Sequence, residues 1–225
     1  MRRADAIIAV SENTRRDMLS HFDVDEGKVT VIHHGIDVPK IPAGLEARVV
    51  HEPYILYVGM RHRFKNFTNF IRGFGAIAAR YPGLKVVCTR SPFTKEEQEL
   101  FTHLGIADRM QVVTADEVTL NRLYRDAMFF VFPSLYEGFG MPILEAMANG
   151  CPTAIADASC FPEIGGDASL YFDPRDVDSI AHALETMVQD DSLRQDLARK
   201  GLERSALFTW QRTADRHLEL YKSLI

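Results

Sequence analysis

Pro133-Ser134-Leu135-Tyr136-Glu137-Gly138-Phe139-Gly140-Met141-Pro142-Ile143-Leu144-Glu145-Ala146-Met147-Ala148-Asn149-Gly150 leads from the end of a strand into a helix. The run before it, Ala127-Met128-Phe129-Phe130-Val131-Phe132, is short, aromatic and closed by Pro133, the pattern of a buried strand. Pro142 suits the first turn of a helix, and Ile143, Leu144, Met147 and Ala148 recur at helical spacing up to the stop at Asn149-Gly150. The stretch therefore reads as strand, glycine-bearing loop and helix. Such a loop aims backbone N–H groups and the positive helix end at whatever lies above the strand's C-terminal end, a natural place for phosphate.

Two carboxylates frame the loop, Glu137 within it and Glu145 about one turn into the helix. Carboxylates accept hydrogen bonds well from sugar and ribose hydroxyls, so the pair suits a nucleotide-sugar better than a bare nucleoside triphosphate. On spacing alone, two helix-start acids favoured by the helix dipole account for the pair equally well.

Outward from this stretch, strands and helices alternate. Ala6–Val10 reads as a strand, Ser11 as the cap of a helix to about Phe22, and Lys28–Ile32 as a second strand closed by His33-His34-Gly35. The His pair has no third metal ligand nearby and is read as a strand-end turn. Pro39, Pro42 and Gly44 mark a linker over residues 38–53. Tyr54–Gly59 is then an apolar strand ending in Gly, followed by the basic loop Met60-Arg61-His62-Arg63-Phe64-Lys65-Asn66 and a helix to about Arg80. Further strands are expected at 84–88, 110–113, 153–156 and 169–171, with helices at 94–104, 117–126, 179–189, 192–205 and 210–224. The alternation predicts an α/β chain with a Rossmann-like, doubly wound, mostly parallel sheet, its ligands at the strands' C-terminal ends. Residues 1–37 form a strand–helix–strand piece and 54–225 the main domain.

Composition narrows the classes. With 225 residues, 46% apolar and 25% charged, the chain is an ordinary globular one. Its formal charge of −5 argues against a nucleic-acid surface or a strongly basic membrane patch. Cys88, Cys151 and Cys160 lack metal-type spacing and fit reduced, buried thiols in a cytoplasmic compartment. No run has the length of a membrane span, and Ala6–Val10 is too short for a signal-peptide core. There is no P-loop, and neither Gly138-Phe139-Gly140 nor Gly73-Phe74-Gly75 extends to a dinucleotide fingerprint.

Glu137-Gly138-Phe139-Gly140-Met141-Pro142-Ile143-Leu144-Glu145, with seven residues between the acids, resembles the E-x7-E signature of the retaining GT-B glycosyltransferases of family 4. Leu123–Ala127, Ala146–Pro152 and Pro162–Pro174 are similar to that family as well. The resemblance runs from about residue 4 to the C-terminus and implies the C-terminal half of a GT-B fold, with residues 1–37 as the end of the acceptor-binding domain. It implies transfer of a hexose, mannose being favoured, from a nucleoside-diphosphate sugar (GDP- or UDP-linked) to an acceptor glycan or lipid-linked sugar. It implies no metal and no cofactor beyond that donor, and a cytoplasmic enzyme peripheral to the membrane when complete. The alternative it leaves open is a non-catalytic nucleotide-sugar-binding or partner subunit, inactive without an acceptor domain. A partner chain or self-association is expected.

By the same resemblance Lys65 is the diphosphate lysine. Fixed cations in that loop would neutralise a diphosphate leaving group without a metal. The family's arginine follows the strand's Gly directly, at Met60 here, so Arg61 is taken as its substitute. Glu137 is assigned to a sugar hydroxyl and Glu145 to the ribose. Gly59 and the loop residues Gly138, Phe139, Gly140 and Met141 complete the donor-binding set, with the base near Thr114–Val118. The active-site histidine that many relatives contribute from the N-terminal domain has no matching position. Asp176-Val177-Asp178 and Asp23-Val24-Asp25 match a metal-binding tripeptide of another glycosyltransferase fold, but Asp176 and Asp178 are read as a helix cap and first-turn acid.

Overall fold

The computed structural model describes residues 4–37, 41–45 and 47–225; Pro39 of the expected linker lies outside them. Two parallel sheets carry the chain. The smaller pairs β1 (Ile7–Ala9) with β2 (Val29–Val31) through α1 (Glu12–His21). Ser11 caps α1, its hydroxyl accepting from the Thr14 N–H.

The larger sheet has six strands: β3 (Tyr54–Tyr57), β4 (Lys85–Thr89), β5 (Met110–Val113), β6 (Phe129–Phe132), β7 (Thr153–Ala156) and β8 (Ser169–Phe172). Their spatial order is β5-β4-β3-β6-β7-β8, every neighbouring pair parallel. Helices α2 (Phe67–Ala78), α3 (Lys95–His103), α4 (Glu117–Asp126), α5 (Met141–Ala148), α6 (Phe161–Gly165), α7 (Val177–Gln189), α8 (Asp191–Ser205) and α9 (Trp210–Ser223) complete the chain. Every residue of β3, β6 and β7 is buried, so these strands read as continuous apolar runs, as expected of a parallel sheet covered on both faces. Among the helices, α2 turns Phe67, Phe70, Ile71, Phe74 and Ile77 into the core at helical spacing.

The strand order reverses between β3 and β6. From β3 the chain winds outward through β4 and β5, then crosses back to β6 and winds the other way. The chain therefore leaves β3 and β6 in opposite directions, the switch point at whose crevice, above the strands' C-terminal ends, open α/β sheets bind ligands. The basic loop and the Glu137 loop are the two that border it.

The smaller sheet is tied to the larger domain through its far end. Ile36 donates to the Phe208 carbonyl at 3.0 Å and bridges Thr209 in parallel. A Cβ on Gly35 would stand 2.1 Å from the Trp210 nitrogen, so only glycine permits this approach. Three short turns were not anticipated, at Glu26–Lys28, Arg63–Lys65 and Ala107–Arg109, nor was the five-residue α6. Each is a single hydrogen-bonded turn, too short to display a hydrophobic period.

Candidate active site

Lys65 ends the turn Arg63–Lys65, its N–H donating to the His62 carbonyl at 2.8 Å. Asn66 follows with φ 56°, a left-handed conformation that Asn tolerates, and α2 starts at once. The Asn66 amide donates to the Pro174 carbonyl at 2.6 Å and ties the loop to the segment after β8. The Leu135 N–H donates to the Phe64 carbonyl at 2.8 Å, joining the loop after β3 to the loop after β6. With both loops fixed, the Lys65 ammonium forms an ion pair with the Glu137 carboxylate, which also accepts from Ser134 Oγ at 3.0 Å. Both side chains remain 18–19% exposed. Lys65 Nζ also lies 5.7 Å from the Phe132 ring centre and 5.6 Å from that of Phe64, cation–π contacts that hold it between the loops.

The loop Glu137–Gly140 is held from behind. Ser159, itself at φ 54°, donates from Oγ to the Glu137 carbonyl at 2.8 Å and accepts from the Glu137 N–H at 3.2 Å. Cys160 Sγ donates to the carbonyls of Glu137 at 3.3 Å and Phe139 at 3.0 Å. Burial pushes the Cys160 thiol up to about 12, so it stays protonated and able to donate. Gly140 turns the chain into α5 with φ 100°, a conformation glycine allows freely, and Pro142 sits in the first turn. Among the described residues no acceptor meets the N–H groups of Gly138, Phe139 and Gly140. Three amides with their carbonyls tied back form a donor array at the start of an eight-residue helix.

Glu145 stands on the same helix, half-buried, accepting from the hydroxyl of fully buried Tyr124 at 3.2 Å. Burial raises its pKa, while the Tyr124 bond and the Arg90 charge oppose that rise. Gly59 leaves β3 at φ 120°, with its N–H on Thr89 Oγ1 at 3.3 Å.

Arg61 does not join this group. Its guanidinium is 5% exposed, pairs with Glu97 at 2.7 Å, and donates to the carbonyls of Ser91 at 2.9 Å and Pro92 at 2.7 Å. It also lies 5.0 Å from the ring centre of Phe93. A guanidinium with these bonds serves as the tie of the 91–92 loop.

The side chain of Phe139 leaves the site altogether. It is buried against His34 in an edge contact at 5.1 Å and against His33 and Phe208. His33 Nε2 pairs with Glu163 at 2.6 Å, and Glu163 accepts from the Glu12 N–H with both oxygens. Although burial alone would raise the Glu163 pKa, these bonds together lower it. The histidine pair thus closes the strand-end turn, next to an open cavity of about 580 Å³ between the smaller sheet and α9. Asp176 caps α7 by accepting from the Asp178 N–H at 2.9 Å. Among the described residues no three His, Cys, Asp or Glu side chains converge as metal ligands, and no helix is long and apolar enough to cross a membrane.

Ser11, Thr14, Tyr124, Ser159 and Cys160 were not in the expected set. All but Tyr124 act on backbone carbonyls of the loop, contacts that leave no spacing signature in a single chain.

Comparison with known proteins places these residues in a family. Residues 46–204 match the model described as glycosyl transferases group 1, and residues 1–40 match that of glycosyltransferase family 4. O-antigen chain mannosyltransferase B of Escherichia coli is 30% identical over 240 residues, spanning 98% of this chain and 61% of that protein. The structure of sucrose-phosphate synthase from Thermosynechococcus elongatus is similar with a TM-score of 0.76 and 26% identity, over 99% of this chain and 59% of that one. A glycosyltransferase of Rickettsia africae shares the fold with a TM-score of 0.84 at 18% identity, over 98% of this chain and 63% of that one. The chain thus spans about three-fifths of the length of these relatives. With more than half of its residues inside the matched model, and the E-x7-E loop among them, the chain belongs to the group 1 glycosyl transferase family.

Proposed function

We propose that this chain carries the donor-binding part of a retaining glycosyltransferase that moves a hexose, mannose in the first instance, from a nucleoside-diphosphate sugar to the hydroxyl of a glycan or lipid-linked acceptor. The observation that carries the reading is the Lys65–Glu137 ion pair at the β3/β6 crevice, beside three unpartnered amides at the start of α5. In the transfer, the bond between the anomeric carbon and the diphosphate oxygen breaks. The acceptor oxygen bonds the same face of that carbon, and its proton passes to the departing diphosphate. Lys65 neutralises the charge that grows on the leaving group, aided by the amides of the loop. Glu137 accepts from a sugar hydroxyl, and Glu145 from the ribose hydroxyls. Mannose is favoured because the Escherichia coli relative is named a mannosyltransferase.

Calorimetric titration with GDP, UDP and their hexose conjugates tests the reading. One nucleotide family binds the native chain, and Lys65→Ala weakens it by about 2 kcal/mol, the worth of a hydrogen bond to a charged group. Glu145→Ala weakens it too. Binding insensitive to both substitutions would overturn the site, and binding without hexose transfer to any acceptor would leave a nucleotide-sugar-binding module.

A further inference from the structure

Helix α1 buries none of its ten residues fully, and its apolar Met18 and Leu19 are only partly covered. What faces the main domain is a polar ridge, Ser11, Thr14 and Asp17, at intervals of three. All three meet the Glu137 loop. Asp17 accepts from the Tyr136 hydroxyl at 2.6 Å, and the hydroxyls of Ser11 and Thr14 reach the Gly138 carbonyl at 2.8 and 3.1 Å. Glu163 fixes the start of the helix from the main domain.

The Gly138 carbonyl is the member of the loop that the main domain leaves untied. Ser159 and Cys160 take the carbonyls of Glu137 and Phe139 but not the one between them. Peptide bonds are planar and trans here, so the N–H of Phe139 points opposite to the Gly138 carbonyl. Whatever turns that carbonyl toward α1 also turns this N–H away from α1, with no acceptor of its own. Gly138 would otherwise be free to rotate this peptide, since a glycine has few steric limits.

We infer that Ser11 and Thr14 are positioning residues for the donor. From the first strand–helix–strand unit, their hydroxyls set the plane of the Gly138–Phe139 peptide and so aim the Phe139 N–H at the diphosphate-sugar portion of the ligand. This deepens the reading of the crevice as a nucleotide-sugar site and rests on it. It also makes the donor loop sense where the first unit sits, because displacing α1 releases the peptide.

Thr14→Val tests this with the helix cap intact, since Ser11 Oγ still accepts from the residue 14 N–H. Ser11→Ala removes the second hydroxyl together with the cap, and Thr14→Ser restores the hydroxyl. In calorimetry, Thr14→Val and Ser11→Ala weaken the preferred nucleoside-diphosphate hexose about tenfold. The corresponding nucleoside monophosphate, held mainly through Glu145, changes by less than about twofold, and Thr14→Ser regains native affinity. A purely structural contribution would weaken both ligands alike and would overturn the inference. Independently of ligand, the Gly138 carbonyl ¹³C resonance moves in Thr14→Val and returns in Thr14→Ser; an unmoved resonance overturns it as well. Native binding with unimpaired binding by the variants overturns this inference alone, whereas no binding by the folded native chain overturns the donor reading and this inference with it.

Discussion

Glu145 shows how one residue balances fold against function. Its carboxylate is half-buried on α5 and accepts from the Tyr124 hydroxyl, and burial raises its pKa. A carboxyl group whose pKa is raised in the folded state costs nothing below its ordinary value, where both states are protonated. The cost appears as the pH climbs from that ordinary value through the raised one, and stays constant above it. Glu145→Gln therefore melts higher than the native chain at pH 7, and the advantage disappears as the pH falls below the ordinary carboxylate range. The same substitution weakens nucleotide binding about tenfold, because the charged acceptor for hydroxyls is lost. A melting series from pH 4 to pH 8, paired with titration at pH 7, checks both halves. Equal melting temperatures throughout would remove the burial argument.

At the scale of elements, the loops after β3, β4 and β6 are tied to one another by a few polar side chains. Arg61 belongs to this group. It is nearly buried, its partner Glu97 starts α3, and its two carbonyl acceptors lie just after Arg90, which holds a left-handed φ of 79°. Removing the guanidinium leaves Glu97 with the Thr94 N–H of its capping box but without its cation, and frees the 90–92 segment. Arg61→Ala is expected to cost about 3 kcal/mol of stability, the scale for breaking one partner out of a buried pair. Nucleotide affinity falls less than in Lys65→Ala. Urea unfolding and calorimetry on both variants separate the two roles, and a stable Arg61→Ala chain with lost binding would return Arg61 to the diphosphate.

For the whole molecule, the informative surface is on α9. Leu218, Tyr221 and Leu224 are each about half exposed and lie three residues apart, one apolar stripe along the last helix, with Trp210 exposed at its start. An apolar stripe of this kind favours association. The chain is expected to self-associate, with a mass in light scattering that rises with concentration, and Leu218→Lys combined with Tyr221→Lys restores the monomer. A native chain that stays monomeric at high concentration would show that the stripe is tolerated in water.

Among the described residues, the alternation of apolar runs and amphipathic segments was enough to place the eight strands and the eight longer helices within a few residues, and with them the parallel sheet. Burial on both faces forces a strand such as Phe129–Phe132 to be continuously apolar, and one-sided burial forces the 3.6-residue period of α2, so both are written locally. The Glu137 loop and Lys65 were legible for a similar reason, since a strand exit, glycines and a helix start stand side by side in the chain. That Arg61 turns to α3 and its preceding loop was decided only in three dimensions, where Glu97, thirty-six residues on, claims it. So were the turning of Phe139 onto His34 and the grip of Ser11 and Thr14 on Gly138, contacts that span more than a hundred residues. A side chain's direction depends on which partners the fold brings within 3 Å, and local sequence carries the period of an element but not the identity of those partners.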